Sequence, residues 1–304
     1  MKEIVRGVYP VMITPFTQQN TIDWDAVDEI VEFYVRQGCQ GVFAVCLSSE
    51  MFHLTEDERV RLARRVADAA AGRLCVVASG HVSDGFQDQI RELNRMADTG
   101  VDAVVMISNR LAEPGEDDGV LIRNMHRLLN AVPDVRFGMY ECPHPYKRLL
   151  TGRVLEEMAD CGRFSFIKDT CCDAELIARR VQLLGGRVRL FNANAATLRE
   201  TLLAGADGFS GIMANYHPEL YVWLMENLYS RPEDARRLAA FLSMMSAAEG
   251  CCHPVGAKYH MNLVGVPMTL NSRSRSSADF GPLDRHAIDD LLVMEQSIRA
   301  ALGL

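Results

Sequence analysis

The stretch Gly100-Val101-Asp102-Ala103-Val104-Val105-Met106 carries the phrase that decides the fold: a glycine, two linking residues, then a short apolar strand after an amphipathic helix. It recurs as Gly38-Cys39-Gln40-Gly41-Val42-Phe43-Ala44-Val45 and as Gly205-Ala206-Asp207-Gly208-Phe209. Each leading glycine suits the left-handed position just past a helix C-terminus, so each marks a helix ending and a strand beginning.

Less regular copies bring the apolar runs to eight: Val8–Thr14, Gly41–Cys46, Leu74–Ser79, Ala103–Ile107, Arg136–Tyr140, Phe164–Lys168, Val188–Phe191 and Gly208–Ile212. Helical patterns with start signals lie between them. Thr55 followed by Glu58 reads as a capping box, and Thr151 and Asp173 as N-caps. Continuous apolar strands alternating with helices call for parallel pairing with both faces covered. Eight such units predict an α/β fold, a (β/α)8 TIM barrel over residues 1–217. Residues 218–304 then read as a C-terminal helical extension, with helices at Pro218–Tyr229, Pro232–Ala248 and Asp284–Leu302. The serine- and arginine-rich stretch Asn271–Gly281 reads as a solvated loop.

At 304 residues, 48% hydrophobic, 24% charged and with net charge -8, the chain can bury a large core but offers no clustered basic face. Nucleic-acid and anionic-membrane partners are therefore not expected. No apolar run reaches a membrane span and no secretory signal opens the sequence, so the cytoplasm is the expected compartment. Nine cysteines, an odd and scattered set, read as reduced thiols. Cys251, Cys252, His253 and His260 lack the paired spacing of zinc sites, and no metal or other cofactor is expected.

Lys168 follows Phe164-Ser165-Phe166-Ile167, at the end of a strand that should exclude an ammonium. Desolvation lowers a lysine pKa. An unperturbed lysine is neutral only about once in two thousand molecules at pH 7, and reversing that takes roughly 4 to 5 kcal/mol of environmental bias. A buried strand end supplies such bias and makes an amine nucleophile. A lysine snorkelling out to pair with Asp169 is the competing reading.

Barrel active sites lie at the C-terminal strand ends, which selects Cys46-Leu47-Ser48-Ser49-Glu50 after strand two, Tyr140-Glu141-Cys142-Pro143 after strand five, and Lys168-Asp169-Thr170 after strand six. A buried amine, a phenol and a loop of small hydroxyl residues suit Schiff-base chemistry on a 2-oxo acid. On these residues the chain resembles the dihydrodipicolinate synthase and N-acetylneuraminate lyase family, class I aldolases on a (β/α)8 barrel. The resemblance runs from Thr14-Pro15-Phe16 to Asn215 and Pro218, and is most specific at Lys168 with Thr170 and at Tyr140 with Pro143. It implies that Lys168 forms the imine and Tyr140 relays protons. It also implies that Ser48 and Ser49 bind the carboxylate through N–H groups and hydroxyls, that the Ser210 carbonyl orients the lysine, and that the protein is a homotetramer built of dimers.

The chain departs from the family pattern at named places. Cys46 and Ser49 replace loop glycines, Leu47 replaces the hydroxyl residue of the proton relay, and Met106-Ile107-Ser108-Asn109-Arg110 holds no relay tyrosine. Glu141 replaces an asparagine, and His144-Pro145-Tyr146-Lys147-Arg148 is rearranged where synthases place an arginine for the second substrate. Glu141, His144 and Lys147, with Arg148, are thus candidate contacts to a different substrate, or a solvated loop. The expected activity is that of an aldolase or dehydratase on pyruvate or a larger 2-oxo acid, such as a 2-keto-3-deoxy sugar acid, ahead of dihydrodipicolinate synthase itself. A silent relative that only binds such an acid is the alternative from another class. A metal-dependent barrel enzyme using Glu50, Glu141, Asp169 and the rim thiols Cys46, Cys142, Cys171 and Cys172 is the third.

Overall fold

The structure, a computed structural model, describes residues 2–304. Eight parallel strands, β1 (Gly7–Val8), β2 (Gly41–Phe43), β3 (Cys75–Ala78), β4 (Ala103–Ile107), β5 (Phe137–Tyr140), β6 (Phe164–Asp169), β7 (Arg189–Asn192) and β8 (Gly208–Phe209), form one sheet in the order β1-β8-β7-β6-β5-β4-β3-β2. The ring closes where Pro10 O accepts from Phe43 N at 2.9 Å and Phe43 O accepts from Met12 N at 3.0 Å. This is the expected (β/α)8 barrel.

Seven helices alternate with the strands: α1 (Trp24–Arg36), α2 (Glu56–Ala70), α3 (Phe86–Ala97), α4 (Asp118–Ala131), α5 (Gly152–Asp160), α6 (Ala174–Leu184) and α7 (Leu198–Leu203). The capping box at Thr55 and Glu58 forms, and the Thr151 and Asp173 side chains accept from N–H groups of the first turns of α5 and α6. Gly38, Gly100 and Gly205 have φ of 76°, 88° and 100°, the left-handed geometry that ends a helix.

Rings from several strands fill the barrel. Phe43 of β2 meets Phe166 of β6 at 5.8 Å between centroids, and Phe166 stacks on Phe191 at 4.8 Å. Tyr9 adds a contact to Phe191 at 4.5 Å. The interior below the C-terminal strand ends is thus a packed core.

Five strands are shorter than the apolar runs, β3 and β5 by one or two residues and β1, β2 and β8 by more. Pairing on β1 ends at Val8, because Pro10 has no N–H and the chain crosses to Phe43. β2 ends at Phe43, where the backbone turns into the serine loop, and β8 ends at Phe209, before the turn Ile212–Asn215.

Beyond β8 come α8 (Pro218–Asn227), which packs on β1, then α9 (Pro232–Met245), α10 (Val255–Leu263) and α11 (Pro282–Leu302). α10 left no amphipathic signature because Val255, Gly256, Ala257, Lys258, His260 and Met261 are all buried. Nor is Asn271–Gly281 merely a solvated loop. Arg273 makes two 2.8 Å bonds to the Glu58 carboxylate and lies 4.6 Å from the Phe16 ring, strapping the segment across the barrel mouth. No helix among the described residues is long and apolar enough to cross a membrane.

Candidate active site

Register puts the expected pair side by side, since Tyr140 of β5 is the direct partner of Lys168 of β6. Lys168 is 5% exposed, and its Nζ stands 4.5 Å from the Tyr140 ring centroid and 5.8 Å from that of Phe43. It has no hydrogen-bond or ion-pair partner among the described residues. Asp169 does not serve as one, because it is ion-paired to Arg180 and accepts from Cys171 N. Burial lowers the Lys168 amine below its ordinary value, with Cys46, Cys142 and Glu249 opposing. The Tyr140 hydroxyl is held well above its usual range by burial, then by Cys142 and Cys46, so it keeps its proton. Burial likewise pushes the Cys142 thiol up to about 11.

The serine loop splits its two hydroxyls between tasks. Ser49 Oγ is spent on the backbone, 2.5 Å from Met12 O, 2.7 Å from Ala44 O and accepting from Cys46 N at 3.1 Å. Its hydroxyl is therefore not free to donate elsewhere; a serine in a glycine's place has turned inward to satisfy carbonyls. Thr14 donates to Ser49 O at 2.7 Å and fixes the peptide's orientation. The N–H groups of Ser48 and Ser49 donate to nothing among the described residues, leaving a two-donor seat for a small anion.

Beside this loop opens a cavity of about 450 Å³ lined by Leu47, Ser48, Phe52, His144, Ile212 and His253, with Arg275 at its rim. His144 packs edge-on against Phe52 at 4.8 Å and lines this cavity. Lys147 and Arg148 do not reach it. Lys147 Nζ donates to Thr170 O at 2.7 Å, and Arg148 turns away to Glu113 O and Glu116 O at 3.1 and 3.0 Å. Glu141 is removed from the site too. Its oxygens accept from Leu150 N at 2.7 Å and Thr170 N at 2.8 Å, and Arg180 pairs with it at 2.9 Å, so it braces the end of β5 against β6. Burial and the neighbouring Asp169 raise its pKa, against the pull of Arg180. Ser210 is buried, but its carbonyl makes no hydrogen bond to the lysine and its hydroxyl has no partner among the described residues.

Among the described residues no group of three or more His, Cys, Asp or Glu is arranged to hold a metal. Glu50 is engaged by Ser272 Oγ at 2.9 Å, Arg273 N at 2.6 Å and Ser274 N at 2.7 Å. Two site residues escaped sequence reading. Glu249, whose carboxyl burial pushes up to about 7 against the pull of Lys168, had no local signal at all. His253 stood in a segment legible only as a poor metal motif, yet its Nε2 lies 3.1 Å from Ser48 Oγ.

Comparison with known proteins places this geometry. Residues 4–277 match the family described as the Dihydrodipicolinate synthetase family. A 4-hydroxy-tetrahydrodipicolinate synthase of Marinobacter nauticus is 24% identical over 272 residues, 88% of this chain and 92% of that protein. The sialic acid aldolase of Ruminococcus gnavus superposes with a TM-score of 0.86 at 19% identity, covering 97% of this chain and 98% of that one. A prophage protein of the dihydrodipicolinic acid synthase family from E. coli K12, solved in complex with pyruvate, gives 0.84 at 20%, covering 97% and 98%. At such identities the superpositions speak for the fold, while the match over nearly the whole barrel speaks for descent: the chain belongs to the dihydrodipicolinate synthetase family and is a lyase of the class I aldolase type.

Proposed function

We propose that the protein is a cytoplasmic, homo-oligomeric Schiff-base lyase that acts on pyruvate or a larger 2-oxo acid, such as a 2-keto-3-deoxy sugar acid, through an imine at Lys168. The observation that carries this reading is the unpartnered, buried amine of Lys168 with the Tyr140 phenol on the adjacent strand. A desolvated lysine spends more time neutral and can attack the C2 carbonyl, giving a carbinolamine after proton transfer from nitrogen to oxygen. Tyr140, kept protonated, donates to the departing hydroxyl, which leaves as water; the nitrogen keeps its one proton as the iminium, and the phenolate recovers a proton in the step that follows, from the C4 hydroxyl or from C3. The carboxylate rests on the Ser48 and Ser49 N–H groups. The resulting iminium draws electrons from C3, so that either the C3–C4 bond breaks or a C3 proton and the C4 hydroxyl are lost.

The cavity of about 450 Å³ that Leu47 and Ser48 border supports a substrate larger than pyruvate, although Lys168 and Tyr140 are not part of its lining. Arg148, which follows β5, donates to Glu113 O and Glu116 O instead of facing the cavity, which favours a catabolic reaction over the synthase condensation. Incubation with pyruvate and borohydride should add a reduced pyruvyl group to the peptide containing Lys168. Absence of any adduct with pyruvate or a panel of 2-oxo acids would sink the proposal. Turnover of the same panel separates a lyase from a silent binder, and sedimentation equilibrium reads the oligomer.

A further inference from the structure

The cavity beside the serine loop is walled on one side by residues from outside the barrel. Cys251 to Pro254 lead into α10, and His253 and Pro254 face the serine loop there. His253 Nε2 is 3.1 Å from Ser48 Oγ, while its Nδ1 is buried with no partner among the described residues. A neutral imidazole carries one N–H. With the proton on Nδ1, a buried donor would be orphaned, and orphaned N–H groups are rarer in proteins than unfilled acceptors. With the proton on Nε2, the imidazole donates to Ser48 Oγ and only a lone pair is left unfilled. The second tautomer fits the surroundings better.

That assignment fixes what Ser48 does. Its oxygen accepts from His253, so its own proton is free for another acceptor, and no protein acceptor is recorded for it among the described residues. The hydroxyl joins the free N–H groups of Ser48 and Ser49 as a third donor at one seat. Ser49 cannot supply that donor, since its hydroxyl is held by Met12 O and Ala44 O. The imidazole stays neutral in any ordinary buffer: burial first, then the charges of Lys258, Lys168 and Arg275, depress its pKa to about 3. We propose that His253 is a positioning residue, through which the C-terminal extension holds the Ser48 hydroxyl as a donor to the carboxylate of the 2-oxo acid. This rests on the reading of the serine loop as the carboxylate seat, and not on which reaction follows the imine.

The test is borohydride trapping across a pyruvate concentration series, which yields a half-saturating concentration and a plateau rate. His253→Leu should raise the half-saturating concentration about tenfold with the plateau changed less than about twofold, the signature of one lost charge-assisted hydrogen bond in binding. His253→Asn, which keeps an N–H donor, should recover most of that loss. Ser48→Ala should match His253→Leu, and the double variant should be no worse than Ser48→Ala alone. An unchanged half-saturating concentration in His253→Leu overturns the proposal, as does additivity in the double variant. If the wild-type protein forms no pyruvate adduct, the imine reading fails by itself. The same comparison then runs on oxamate, an isosteric carboxylate that forms no imine, by calorimetry. Weaker oxamate binding by His253→Leu supports the proposal; equal binding, or none by the wild type, overturns it.

Discussion

The end of β6 and the first turns of α10 each bury a lysine, and the two have opposite surroundings. Lys258 is fully buried but satisfied, donating to Asn271 O and pairing with Glu50 at 3.4 Å. Lys168 is 5% exposed and has an aromatic ring, two thiols and a distant carboxyl for company, with no hydrogen bond. Burial lowers both pKa values, that of Lys258 to about 8 with Glu50 opposing. Depressed basicity alone therefore does not mark a nucleophile. The lone pair must also be free, and at Lys258 it faces acceptors that hold the ammonium in place. One lysine ties the extension to the barrel; the other is left available for chemistry.

The sharpest way to break this contrast is to remove each amine. Lys168→Ala should abolish the borohydride adduct and lower turnover by at least about 10³-fold, with an unchanged or raised melting temperature, because an unpaired buried amine contributes nothing to folding. Lys258→Met should do the reverse. It leaves the buried Glu50 carboxylate with its hydrogen bonds to Ser272, Arg273 and Ser274 but without its cation, and should cost about 3 kcal/mol in denaturant unfolding while the adduct still forms at Lys168. If Lys258→Met lost the adduct at full stability, the division of labour would be wrong.

A smaller effect tests what stands beside the reactive amine. Tyr140→Phe keeps the ring against Lys168 and removes only the phenolic proton, so trapping should slow by about 10²-fold and still label the same peptide. The smallest effect is electrostatic. The wild-type trapping rate should rise with pH and level off below 10.5, since the folded amine is easier to deprotonate than a free one. Glu249 favours the ammonium, so Glu249→Gln should move that midpoint further down, by less than about one pH unit. A midpoint moved upward would mean that Glu249 does not act on Lys168 as a negative charge.

How much of this was legible depended on range. The capping box at Thr55, the helix ends at Gly38, Gly100 and Gly205, and the run Phe164–Lys168 are written within a few residues, and each appears as read. Glu141 looks available beside Tyr140 in the sequence, but Arg180 of α6 neutralises it, a contact that local reading does not reveal. The Ser49 hydroxyl, unlike its N–H, is turned from the expected carboxylate seat because it serves carbonyls at Met12 and Ala44, which no motif records. Lys147 and Arg148 have the charge for substrate binding but point along other loops. α10 was missed because a helix buried on nearly every face has no period to detect.

The sequence by itself determined the barrel, the strand that bears Lys168 and its neighbour Tyr140. Strand order in a parallel barrel follows chain order, so residues at successive strand ends must meet. Only the tertiary structure decided what completes the site. The His253–Ser48 contact joins residues 205 positions apart, and the Glu50 bonds to Ser272, Arg273 and Ser274 span more. Such contacts arise from how the helical extension packs across the barrel mouth, a matter of shape and of which polar groups are already satisfied, and neither leaves a periodic trace in the chain.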